Sequence, residues 1–156
     1  MDYSIGIISE GASRTGRDIA AIDRVARLNC CIAADSQEAL QGVRMSAVRS
    51  LSTYTRFAIA AGLEVTPDLI DAVAQLGYTH DTQKLESLAK QAPDDLIRDA
   101  TLAGTVEEVS AKVVSMIESG ITQVTIRASA TPHQGIATTL ETFATQVMPQ
   151  VREQLR

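Results

Sequence analysis

Two stretches of this chain read as buried strands, and everything around them has the spacing of helices. Residues 24–34 carry Val25, Leu28, Cys30, Cys31 and Ile32, with the imperfect alternation of a strand covered on both faces. Residues 121–127, Ile-Thr-Gln-Val-Thr-Ile-Arg, follow Gly120 directly and are rich in β-branched side chains. A long helical stretch separates the two, so they are expected to lie parallel, joined by a crossover and covered on both sides. Two strands alone leave two open edges and make a marginal sheet. The sheet therefore needs something beyond these two strands to complete it.

The helices have clear punctuation. Residues 2–15 place Ile5, Ile8 and Ala12 on one face and end at Gly16; residues 17–23 form a short connection. Asp35 and Glu38 have capping-box spacing before a long helix with Leu40, Val43, Ala47, Val48, Leu51, Tyr54, Ala58 and Ala61, closed by Gly62. Arg44, Arg49 and Arg56 are assigned to its solvated face. Thr66-Pro67 opens a helix carrying Leu69, Ile70, Val73 and Leu76 and closed by Gly77; another spans 82–91, with Leu85 and Leu88 inward. Pro93 stops it, and residues 94–100 add a turn or two.

In the last third, Leu102-Ala103-Gly104 leads into a Thr105-x-x-Glu108 capping box. Val106, Val109, Val113, Met116 and Ile117 make the buried stripe, and Glu108 is expected to pair with Lys112 on the outer face. After a loop over 128–135, a final helix carries Ile136, Leu140, Phe143, Ala144, Val147 and Val151, with a kink or break expected at Pro149. No repeat or break in composition divides the chain, so residues 1–156 read as one domain.

Composition narrows the function classes. Formal net charge is −5 with acids and bases interspersed, which argues against a nucleic-acid binder; Trp is absent, with three Tyr and two Phe available for stacking on bases. No run approaches the roughly 20 apolar residues of a membrane span. Met1-Asp2-Tyr3 does not begin like a signal peptide, so a cytoplasmic protein is expected. Cys30 and Cys31 are adjacent, which in a strand points them to opposite faces; they are read as buried thiols, neither a disulfide nor part of a metal site.

An eight-stranded β/α barrel typically takes about 250 residues, so 156 residues with about two parallel strands and mostly helix fit part of one. A resemblance points the same way. Leu102-Ala103-Gly104-Thr105-Val106-Glu107-Glu108-Val109, continuing to Glu118-Ser119-Gly120-Ile121-Thr122-Gln123-Val124, is similar to the C-terminal signature of bacterial-luciferase-like monooxygenases. Ile8-Ser9-Glu10-Gly11-Ala12, with Gly16-Arg17-Asp18 and Ile22-Asp23, resembles that family's sixth helix leading into its seventh strand. Ala60-Ala61-Gly62 suits the methylenetetrahydromethanopterin reductases and related deazaflavin-dependent enzymes. The resemblance implies an α/β fold: the C-terminal segment of a TIM (β/α)8 barrel, running from helix six to helix eight. It also implies a flavin-type cofactor, coenzyme F420 or FMN, and a small organic substrate. The family holds much of its cofactor on strands one to six, and no residue of this chain matches those positions.

Barrel active sites lie at the C-terminal ends of strands, which here are residues 33–36 and 127–133. Arg127, Ser129 and His133, with Thr131 beside them, are the candidate cofactor-binding residues. His80, between a helix end and Asp81, is placed at the surface. No catalytic residue is assigned: there is no G-x-S-x-G elbow, Walker loop, G-x-G-x-x-G after a strand, or distinguishable carboxylate pair. The leading expectation is part of an oxidoreductase transferring hydride between a deazaflavin or flavin and an organic, methylenetetrahydromethanopterin-like substrate, with the isolated chain inactive. The alternative is a catalytically inactive shortened paralogue, acting as a binding or assembly module. Its open sheet edges would be covered by self-association or by a partner subunit, where the first expectation has them covered by the missing barrel half.

Overall fold

Both expected strands form and lie side by side. In the computed structural model, which describes residues 2–60, 62–76 and 81–156, β1 (Val25–Ile32) and β3 (Gln123–Ala128) pair in parallel, from Val25 opposite Gln123 to Cys30 opposite Ala128. A third strand, β2 (Leu102–Gly104), pairs with the other edge of β1, so the order is β2-β1-β3 and β1 is central. The sequence reading had only a lead-in at 102–104. Three residues are too few for a period-two pattern, and only pairing with Cys30–Ile32 makes them a strand.

The helices follow in the expected order. α1 (Asp2–Arg14) precedes β1; α2 (Ser36–Ala60), α3 (Pro67–Leu76), α4 (Thr82–Gln91) and α5 (Asp94–Ala100) fill the crossover to β2. α6 (Val106–Glu118) joins β2 to β3, and α7 (Ile136–Thr142) and α8 (Met148–Gln154) follow β3. The caps work as their residue types dictate. Asp35 accepts from the Glu38 amide at 2.9 Å, and Thr105 with Glu108 forms the complete reciprocal box. The expected Gly77 stop and His80 lie outside the described residues.

Side-chain alternation along β1 divides the core in two. Cys30 and Ile32, with Leu102, join Val109, Val113 and Met116 of α6 and Val151 of α8. Cys31 and Ala33, with Ala103, join Leu40, Val43, Ala47 and Val48 of α2 and apolar residues of α3, α4 and α5. Helices therefore cover both faces of a narrow sheet. The two cysteines are free, fully buried and on opposite faces, as their adjacency in a strand requires. Gly42 lets α2 approach closely: a Cβ there would lie 2.6 Å from Cys31 Sγ and 2.8 Å from the Ala130 carbonyl.

Two surface assignments are overturned, at Arg44 and at Lys112. Arg44 is not solvated but buried; its guanidinium donates to the Ala89 and Ala92 carbonyls at the end of α4 and to Asp94, joining α2 to α4 and α5. Arg49 and Arg56 are exposed as expected. Lys112 does not pair with Glu108. Its ammonium donates to the carbonyls of Arg98, Asp99 and Thr101 at 2.6, 3.0 and 2.8 Å, capping the C-terminus of α5. Its four-residue spacing from Glu108 is compatible with a pair, but its three donors are taken by carbonyls at the end of α5, and Glu108 meets Arg98 at 3.8 Å instead.

The last helix also departs from its pattern. Ile136 and Leu140 stay 53% and 48% exposed, whereas Val147 and Val151 are buried. The kink or break expected at Pro149 takes the form of an interruption of the α-helical ladder just before it, after which the helix resumes as α8. A π-helical turn, Phe143–Val147, precedes it and widens the ladder near the carbonyl of Thr145, the one a proline at 149 would crowd.

Candidate functional site

The strand ends named by the sequence are stitched together by the chain's own groups. Ser129 donates its amide to the Cys30 carbonyl at 2.8 Å, and its carbonyl accepts from Thr139 Oγ1 at 2.9 Å. Its hydroxyl stands 3.4 Å from that of Ser46. Thr131 donates to Glu38 and accepts from the amides of His133 and Gln134, both at 3.1 Å, holding the loop as a side-chain-capped turn. Gln134 reaches back to the Ile32 carbonyl at 3.1 Å. On the β2 side, Glu108 accepts from the Ser36 hydroxyl and from the Thr105 amide. Those two hydrogen bonds, Ser36 first, hold its carboxyl below the usual carboxylate range. His133 lies exposed in this rim.

The open space lies elsewhere, over the middle of the strands. A groove of about 690 Å³ runs between the sheet and the C-terminal half of α2. Arg27 and Asn29 of β1 and Arg127 of β3 line it from the sheet, and Ala47, Leu51, Phe57 and Ala58 of α2 form its apolar wall. Asn29 is 5% exposed; its amide donates to the Ser46 carbonyl at 3.2 Å and to Ser50 Oγ at 3.0 Å, which fixes its orientation. Phe57 meets Tyr3 of α1 edge to face, with centroids 6.4 Å apart. On the remaining side stand Asp99 and Lys112. Burial lowers the Lys112 pKa, and its donors are committed to carbonyls, so it faces the groove as a structural group.

Of the candidates, the groove takes Arg127 alone. Ser129, Thr131 and His133 belong to the loop beyond it. Arg27 went unnamed in the sequence; the signal available was a charge within an otherwise apolar strand. Asn29 gave no signal, since its role depends on the α2 carbonyl it meets.

Residues 4–123 match the model of the luciferase-like monooxygenase family. No curated protein matches the sequence. Among solved structures, the chain is similar to the coenzyme F420 dependent tetrahydromethanopterin reductase from Methanopyrus kandleri, with a TM-score of 0.76 and 18% identity. That match covers 96% of this chain and 42% of the other. An F420-dependent secondary alcohol dehydrogenase in complex with an F420-acetone adduct is also similar, with a TM-score of 0.59 and 16% identity, over 92% of this chain and 36% of that one. At these identities the likeness shows the fold, a partial barrel of the luciferase-like type, and the chain spans less than half the length of either structure. Among the described residues no helix is long and apolar enough to cross a membrane.

Proposed function

We propose that this chain, which belongs to the luciferase-like monooxygenase family, is the C-terminal part of an oxidoreductase that uses coenzyme F420 or FMN. The organic substrate would be of the methylenetetrahydromethanopterin kind, and the setting cytoplasmic. One observation carries the reading: the family match over residues 4–123, on a fold that agrees with an F420-dependent reductase along 96% of the chain.

The groove supports it, because an apolar wall beside the Arg127 guanidinium suits a flat cofactor bearing an acidic group. Bound there, such a cofactor would supply the hydride chemistry, and the protein would orient it and exclude water. In this reading Arg127 anchors the acidic group, while Ser129 and His133 offer further contacts from the rim. No residue of this chain is given a catalytic role.

The test is fluorescence titration of coenzyme F420, and separately of FMN, against the chain alone and against the whole source polypeptide. Binding of either by the whole polypeptide, weakened about tenfold or more by Arg127→Ala, is expected. Binding of neither would overturn the reading.

A second reading, an inactive module completed by self-association, is favoured by Ile136 and Leu140, which expose one apolar strip on α7. Sedimentation that shows a monomer at every concentration would remove it.

A further inference from the structure

From Ile136 to Leu155 the chain runs as one helix through α7, the π turn and α8. Thr139, Val147 and Val151 form its buried line. Ile136, Leu140, Met148 and Leu155 stay 53%, 48%, 36% and 40% exposed, and Ala144 is exposed between them. Four-residue steps join Ile136, Leu140, Ala144 and Met148. In a uniform α-helix each such step creeps forward by about 40°. The wider π turn over Phe143–Val147 takes more residues per turn and rotates the helix back, so Met148 and Leu155 return to the line begun by Ile136.

This apolar strip is symmetric along its length. Ile136 with Leu155, Ala144 with Met148, and Leu140 with Arg152 are each centred at or beside Gln146. So is the pair Glu141 and Arg152, an acid in the first half of the helix and a base in the second, both exposed. Glu153 is turned about 100° from Arg152, on the side away from Leu155. Two helices packed antiparallel about a two-fold axis set each residue against the one equally far beyond the centre of the other helix. An axis at the level of Gln146 therefore puts Ile136 against Leu155 of a second copy, Met148 against the small Ala144, and Glu141 against Arg152, with each contact made twice.

We propose that this strip is the surface through which two copies of the chain pair, their last helices antiparallel. A parallel pairing would set Glu141 beside Glu141 and Arg152 beside Arg152, so the charges select the antiparallel one. The proposal rests on the second reading above only in that the chain must self-associate, and it is independent of the cofactor. One helix from each copy makes a small interface, so dissociation in the micromolar range is expected.

The experiment is sedimentation equilibrium of the full chain from about 1 to 500 μM. A monomer–dimer equilibrium is expected, abolished by Leu140→Asp and by Met148→Asp. Glu141→Arg and Arg152→Glu should each weaken it about tenfold, and the two together should restore it, which damage to the fold would not do. Ile7→Asp, at an exposed apolar residue of α1, should change nothing, and circular dichroism of each variant checks folding. A monomer at every concentration overturns both this interface and the second reading. A dimer that survives Leu140→Asp and Met148→Asp, or that Ile7→Asp removes, overturns the interface and leaves self-association standing. A whole source polypeptide that stays monomeric while the chain alone dimerises assigns the strip to the rest of that polypeptide and overturns the pairing of two copies.

Discussion

Cys30 lies at the centre of the sheet with no exposed surface, and burial, reinforced by Cys31 beside it, pushes its thiol from 9.0 up to about 12. A folded-state value above the unfolded one means that the neutral thiol is the form the fold favours. The associated stability is present below the ordinary thiol value and is lost as pH rises between about 9 and 12. Urea unfolding in that window should show the wild type losing stability faster than Cys30→Ala; parallel curves would refute the assignment. Lys112 makes a second residue-scale case. Lys112→Met keeps much of the aliphatic stem but strands the three carbonyls at the end of α5, and should cost about 1–3 kcal/mol in chemical denaturation. Arg44 and Lys112 show why such residues are misjudged from sequence. A long cation at helical spacing looks solvated, and only the arrival of another helix end gives it buried carbonyls to satisfy.

The junction of β2 with α6 shows how an element is stopped and restarted within two residues. Gly104 ends the strand at φ 151, and a Cβ there would lie 2.3 Å from Glu108 Oε2. Thr105 then caps α6, and Glu108 closes the box while also accepting from Ser36 at the start of α2. Gly104→Ala should therefore cost about 1–3 kcal/mol and Thr105→Ala about 0.5–2 kcal/mol, both read as shifts in the urea midpoint. An unchanged midpoint for Gly104→Ala would mean that the Glu108 carboxylate moves aside freely. The capping box was legible because its two partners are three residues apart. Its link to Ser36 was not, because that partner lies 72 residues away.

At the scale of the molecule, β1 pairs with β3 from Val25 to Cys30 and with β2 from Cys30 to Ile32, so the two ladders meet at Cys30, while β3 has an open outer edge. Hydrogen exchange should accordingly be slowest in peptides covering residues 30–33 and faster along the outer edge of β3; equal protection would mean that this edge is covered in solution. The sequence by itself determined the order of the helices and of the two longer strands, the caps at Asp35 and at Thr105–Glu108, the burial of the two cysteines on opposite faces and the family resemblance. Each of these rests on residues a few positions apart, where the helical or strand period acts directly. The third strand, the burial of Arg44, the Lys112 cap and the groove between Arg27, Arg127 and α2 were decided by tertiary structure. Each joins groups from distant parts of the chain, and their contacts exist only once the sheet has brought those parts together.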